Sequence, residues 1–348
     1  MEKRVFLPPQ LNGKEIFNVT SVMWARKDHP GLTLDFSQVR FAYPFGTLVL
    51  MAELRSLVQE RIDKGLPGVQ IEGIRTGANS AHKYLAHVGF FTCAGIKLLD
   101  GTAIGKGPGQ AKGSSSYIPI TYVSSDELRE RGEELKRDRG IEKPIGHFIV
   151  KESDRLAGLI TQQNKSSIND PVSYCLREII RNVFEHGEAP RCAVSGQRIG
   201  DAIEIAVVDR GVGIRRSLNK KYELGSDLDA LRKAVLPGVS GNEIDETSDD
   251  VWANSGYGLY VLSELGKRLG EFMLCSGTSS LHMAGDETKE GSHPFHGTAV
   301  QLKVTKPKGI NFWEYIQGII SEGEALTARE GRPRRASAST RMISTDPE

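Results

Sequence analysis

Tyr174-Cys-Leu-Arg-Glu178-Ile-Ile-Arg-Asn182-Val-Phe-Glu185-His186-Gly187 decides how the rest of the chain is read. Apolar side chains at Val172, Leu176, Ile179, Ile180, Val183 and Phe184 recur at helical spacing, as one buried stripe requires. Glu178, Asn182 and His186 follow at intervals of four, so they share another face of the same helix, with Glu185 beside them. Gly187 is a stop signal. A carboxylate one turn before a carboxamide places a proton acceptor next to a neutral oxygen ligand for a hard cation such as magnesium. On its own the pattern also describes a solvated polar face, and His186 reads as a helix-end histidine bonded to backbone.

The flanking segments separate those readings. Upstream, His147–Val150 reads as extended, Asp154–Ile160 as a short helix, and Pro171 sits where a helix tolerates a missing N–H. Downstream, Ala202–Asp209 is an apolar strand running straight into Asp209-Arg-Gly211-Val-Gly213. A carboxylate ending a buried strand can accept a hydrogen bond from an exocyclic amine such as adenine's, worth roughly 1.5–3 kcal/mol when charge-assisted. Gly211 and Gly213 let a flat ring lie against the backbone. Gly256-Tyr-Gly258-Leu259 opens an amphipathic helix through Leu269, and unpaired N–H groups at such a terminus suit phosphate oxygens. Strands are predicted over Phe272–Ser276 and Thr298–Val304, the second introduced by Gly297-Thr298, and Asn311 caps a last helix, Phe312–Ile320. Residues 323–348 are poor in bulky apolar side chains and read as a disordered tail; Arg-Arg-Ala-Ser337 within it is a chance match to a basophilic kinase site.

Taken in order, Glu178-x-x-x-Asn182, Asp209-x-Gly211-x-Gly213, Gly256-x-Gly258-Leu259 and Gly297-Thr298 resemble the GHKL ATPase superfamily. Its members include the gyrase B subunit, MutL, histidine kinases and anti-sigma-factor kinases. The resemblance runs over about residues 149–307 and sets a domain at 149–322. It implies an α/β sandwich, a mixed sheet packed on one layer of helices, binding ATP and Mg2+. Glu178 would orient or deprotonate the attacking group and Asn182 would hold magnesium. Asp209, Gly211, Gly213, Gly256, Gly258, Leu259 and Thr298 would form the nucleotide site. The 42 residues from 214 to 255, including Leu236-Pro-Gly-Val-Ser-Gly241, stand where the family has its ATP lid. Arg215, Arg216, Lys220 and Lys221 read there either as phosphate contacts or as solvated side chains on a mobile loop.

The N-terminal hundred residues alternate strand and helix: Leu32–Phe36, Thr47–Ile62, Val69–Ile74 and Ser80–Val88. That order implies a small sheet of parallel character. His82 and His87, five apart, read as surface residues. Leu34-Asp-Phe-Ser-Gln-Val-Arg-Phe-Ala-Tyr-Pro-Phe45-Gly46 and Tyr84-Leu-Ala-His-Val-Gly-Phe-Phe91 resemble a STAS domain, the module of sulfate transporters and anti-sigma-factor antagonists. Phe45 stands where phosphorylatable members carry a serine, so the role the resemblance implies is docking of a protein partner or holding the second domain. Residues 101–148 read as a glycine-rich and charged connector, in which Ser124-Ser-Asp-Glu127 is a capping box before a solvated helix, Leu128–Arg139.

The chain is therefore expected to be a two-domain α/β protein. Its 45 Lys+Arg against 44 Asp+Glu leave a net charge of +1, which calls for no nucleic acid. Four scattered cysteines suggest neither a disulfide framework nor zinc, and His293 and His296 lack matching ligands. Met1-Glu-Lys-Arg lacks a signal peptide's apolar core, no run is long enough to span a membrane, and the expected location is the cytoplasm. A homodimer is compatible with this reading. Functionally the expectation is a signalling ATPase or ATP-driven switch, a hydrolase in the first case. A serine kinase of the anti-sigma-factor type and a nucleotide-gated interaction module without turnover are the alternatives. A histidine autokinase is disfavoured, because no long coiled-coil pattern precedes the domain.

Overall fold

The computed structural model of the chain describes residues 3–97, 102–107, 110–114, 116–161, 169–241, 255–305 and 311–336. They form a mixed α/β structure of eleven helices and ten strands. In order these are β1 (Lys3–Phe6), β2 (Gln10–Leu11), α1 (Ile16–Ala25), β3 (Leu32–Asp35), β4 (Phe41–Ala42), α2 (Pro44–Asp63), β5 (Gln70–Glu72), α3 (Ser80–His87) and α4 (Phe90–Cys93). Then come β6 (Tyr117–Ser124), α5 (Ser125–Arg139), α6 (Ile145–Thr161), α7 (Asn169–Glu185), β7 (Arg191–Ile199), β8 (Ala202–Asp209), α8 (Ile214–Leu218) and α9 (Asp227–Ala234). The last are α10 (Gly258–Leu269), β9 (Gly270–Ala284), β10 (Glu287–Thr305) and α11 (Phe312–Arg329). The chain divides into two compact units. One comprises Met1–Gly113, Tyr117–Tyr122 and Ala193–Gln197, the other Ser114–Ser116, Val123–Cys192 and Arg198–Glu348. Among the described residues no helix is long and apolar enough to cross a membrane.

In the first unit β1, β3 and β5 form a parallel sheet in that order, with Val5 opposite Leu34 and Leu34 opposite Ile71. The expected parallel character holds. β1 and α1 escaped the sequence reading, β1 because only Val5 in it is buried. Phe36, Phe90 and Phe91 pack as a mutual aromatic cluster, and Phe45 meets Phe17 edge-on. His82 corrects the surface assignment. It is 1% exposed, its Nδ1 accepts from the Arg75 amide at 2.9 Å, and its Nε2 lies 2.9 Å from the Phe36 carbonyl. His87 is half-buried beside the Tyr117 hydroxyl. Within the expected connector, Gly105 packs on the Ala86 backbone, and β6 and α5 are regular elements. Ser124 does precede α5, but its side chain makes no capping bond; Asp126 and Glu127 in the first turn offset the exposed amides.

In the second unit β10 pairs antiparallel with β8 on one side and β9 on the other, in the order β8-β10-β9. α7 packs on β8, α10 on β9 and β10, and α11 on both helices. Residues 147–150, read as extended, lie inside α6; four apolar or aromatic residues fit either period, and helical neighbours decide. β9 and β10 are far longer than expected: the outer half of β10 is polar and mostly exposed, and that of β9 carries only Leu281 and Met283 as bulky apolar residues. α11 is capped by Asn311 as expected but runs to Arg329, so residues 323–329, read as tail, are helical; beyond them Ala336 is buried among mostly exposed residues, and 337–348, with Ser337, lie outside the described residues. The buried face there is carried by Gly323 and Thr327, which add little hydrophobicity.

Candidate functional site

The cleft is assembled from two periodicities. Along β8 and β10, alternation puts Val207 and Asp209 beside Val300 and Thr298, with Val207 opposite Val300 in register. Along α7, Ile179, Asn182, Val183 and His186 fall on one helical face. Between them opens a narrow cleft, with about 80 Å³ of room for the centres of water-sized molecules. Gly213, Val239–Gly241, Gly256, Gly258 and Leu259 complete the wall.

Asp209 is the cleft's carboxylate. It is 5% exposed, and its Oδ1 accepts from the Gly211 amide at 2.7 Å and the Thr298 amide at 3.3 Å. Burial outweighs those two bonds and pushes its carboxyl up to about 6. The loop after it is held tightly. A Cβ on Gly211 would lie 2.0 Å from the Gly187 carbonyl oxygen, which also accepts from the Val212 amide at 2.8 Å. No side chain fits there, so this glycine is fixed by close backbone approach to the end of α7. Ser276 ties the other side: its hydroxyl accepts from the Ile214 amide at 3.0 Å and donates to the Gly297 carbonyl at 2.7 Å.

Seven of the nine expected site residues line this cleft: Asn182, Asp209, Gly213, Gly256, Gly258, Leu259 and Thr298. Gly211 lies on a neighbouring groove with Arg215, Arg216 and Lys220, so those cations do not face the cleft. Lys220 pairs with Glu188 at 2.7 Å. Glu178 is not on the wall either. It is 2% exposed, with Arg177 Nε at 3.4 Å and Arg181 Nη1 at 4.0 Å from its Oε1. Its Oε2 lies 2.7 Å from where a Gly258 Cβ would be, so it abuts the start of α10. The polar face of α7 is thus buried at Glu178 and half-buried at Asn182, Glu185 and His186.

His186 lines the cleft and is pushed down to about 4 by burial and then by Arg181 and Lys220, so it is a neutral imidazole near neutral pH. The sequence reading missed Ser217, Val239, Ser240 and Ser276. Only Val239-Ser240, inside Leu236-Pro-Gly-Val-Ser-Gly241, carried a local signal, as part of a glycine-containing stretch in the long loop. That loop is partly helical, as α8 and α9; its residues 242–254 lie outside those described.

For magnesium the donor set is sparse. The Asn182 carboxamide is on the wall, its Nδ2 is buried with no hydrogen-bond partner, and no group of three His, Cys, Asp or Glu could hold a metal among the described residues. That unpartnered nitrogen is a donor and offers a cation nothing; a magnesium ion here would have the Asn182 oxygen from the helix and would depend on water and ligand phosphates for the rest. Compared with protein-family models and with curated proteins, the chain matches none.

Proposed function

We propose that the second unit is a GHKL-type ATP-binding domain and that the chain is a regulatory protein driven by ATP and magnesium. The first unit, STAS-like in this reading, docks a protein partner. The observation that carries the proposal is the buried Asp209 carboxylate, set on two backbone amides in a cleft it shares with Asn182 and the Gly256–Leu259 turn.

Each wall has a chemical task. Ionised Asp209 accepts a hydrogen bond from the adenine amine. Ile179, Val183, Val207 and Val300 give the base an apolar slot and keep water from that bond. The amides at the start of α10, beside Gly256 and Gly258, face the phosphates. The Asn182 carboxamide oxygen holds magnesium, which neutralises phosphate charge when bound.

The fate of the terminal phosphate turns on Glu178. Its pairing with Arg177 and Arg181, away from the cleft wall, favours a second reading: a nucleotide-gated module with negligible turnover. Incubation with γ-labelled ATP and magnesium separates the cases. Free phosphate, lost in Glu178→Gln while binding is kept, is the outcome for an ATPase. Label retained on a protein serine would replace it with a kinase, and tight binding with neither outcome leaves the module. Absence of ATP binding would remove the proposal altogether.

A further inference from the structure

The C-terminal arm beyond α11 reaches the wall of the cleft. After α11 the chain turns at Gly331, and the Arg332 amide donates back to the Thr327 carbonyl at 3.0 Å. The arm then runs along the last turns of the helix. The Arg334 amide donates to the Thr327 hydroxyl at 3.2 Å, and the Ala336 amide donates to Glu324 Oε1 at 2.8 Å. Ala336 is 6% exposed, although its neighbours Pro333 and Arg335 are exposed.

Two wall segments meet this arm. Tyr257, between the cleft-lining Gly256 and Gly258, is fully buried, and its hydroxyl donates to the Arg334 carbonyl at 2.8 Å. Gly238, just before the cleft-lining Val239–Gly241, has the Arg334 Cδ 2.9 Å and the Thr327 Cγ2 3.5 Å from its Cβ position. Pro237 and Tyr257 both pack on α11 at Gly323, their atoms 3.2 and 3.0 Å from its Cβ position. The two segments also touch each other, with Val239 backbone 2.6 Å from the Gly256 Cβ position. One hydroxyl and one arginine stem thus pin, from outside, both segments whose inner faces line the cleft.

We infer that Arg332–Ala336 is a strap that positions the cleft wall, and that Tyr257 is a positioning residue acting through it. Release of the strap loosens Val239–Gly241 and Gly256–Leu259 together and weakens the ligand they enclose. The ligand part rests on the nucleotide reading above; the strap itself does not. Arginines and a short extended segment are also easily lifted by a competing acidic surface, so the device is one a partner can operate.

The test compares the full chain, a chain ending at Gly331, Tyr257→Phe, and the two changes combined. Amide hydrogen exchange is followed at 239–241 and 256–259, with β8 and β10 as the internal reference, and ATP dissociation is measured alongside. Truncation is expected to speed exchange at both segments together by about tenfold and to weaken ATP by a similar factor, the loss of one buried hydrogen bond plus packing. The reference strands stay unchanged. Tyr257→Phe, which keeps the ring, gives a smaller change of the same kind in the full chain and adds little to the truncated one, since both remove one interaction. Unchanged exchange at the two segments after truncation overturns the strap, whatever ATP does. Faster exchange in a protein that never binds ATP upholds the strap and sinks the nucleotide reading instead.

Discussion

Two buried carboxylates lie near the cleft and have opposite surroundings. Asp209 faces the cavity, accepts from two backbone amides, and is pushed up to about 6 because burial outweighs those bonds. Glu178 is buried just as deeply but stands between Arg177 and Arg181 and against the start of α10, off the cavity wall. The difference teaches that burial does not define a site. In the proposed function, the carboxylate that faces open space, Asp209, is the one available to a ligand. Glu178 has guanidinium groups of its own helix within 4.0 Å and meets the neighbouring helix at Gly258.

The sharpest way to break that contrast is to remove each carboxylate and ask what is lost. Asp209→Ala is expected to weaken ATP by roughly 10- to 150-fold, the worth of one charge-assisted bond in a closed pocket. Calorimetric titration checks it, and undiminished affinity would show that Asp209 reads no base. Glu178→Ala is expected to act on the fold: removing one partner of a buried pair costs about 3–5 kcal/mol, because the remaining charge is stranded. Urea unfolding measures this. A Glu178→Ala protein as stable as its parent would erase the distinction between the two corners.

Acidity probes the same contrast more gently. A ligand amine needs ionised Asp209, so ATP affinity is expected to fall by up to about tenfold per pH unit once pH drops below the raised value near 6. Asp209→Asn should flatten that profile. Stability moves the other way. Between its ordinary 3.8 and about 6, Asp209 binds more proton in the folded than in the unfolded chain, so its contribution declines as pH rises through that window. His186, lowered from 6.5 to about 4, binds less proton when folded, so its contribution is full above 6.5 and is lost as pH falls toward 4. The slopes oppose each other in the parent. Asp209→Asn should steepen the gain in stability from pH 4 to 6, and His186→Gln should reverse its sign, both read from urea midpoints.

How much of this was visible in the sequence follows from where the signals sit. α7 was legible nearly whole, because its apolar and polar residues each keep helical spacing over four turns. Asp209 and its glycines were legible because a strand of unbroken burial ends on them. The outer half of β10 was not, since mostly exposed polar residues carry neither period. The end of α11 was missed because its contacts run through Gly323 and Thr327, residues chosen for what they let approach. Glu178 shows a further limit. Spacing placed it one turn from Asn182 on one face and beside Arg177 and Arg181, yet only the tertiary structure shows that it abuts Gly258 while Asn182 meets the cavity. Ser276, 62 residues from the amide it accepts, had no local signal at all.

The smallest expected effect tests whether burial, and not the mere presence of an arginine, makes the Glu178 corner structural. Arg232 and Glu290 form a better-shaped pair than anything around Glu178, with Nε and Nη2 each 2.8 Å from a separate carboxylate oxygen. The pair links α9 to β10, and both side chains are more than a third exposed. Water already solvates such charges, and holding two long side chains in one geometry offsets the attraction. Glu290→Gln is therefore expected to leave the unfolding midpoint almost where it was, with any small loss vanishing as salt is raised. Were it to cost as much as Glu178→Ala, geometry would outrank burial. Arg177 and Arg181 would then owe their importance to something other than the dry interior around them.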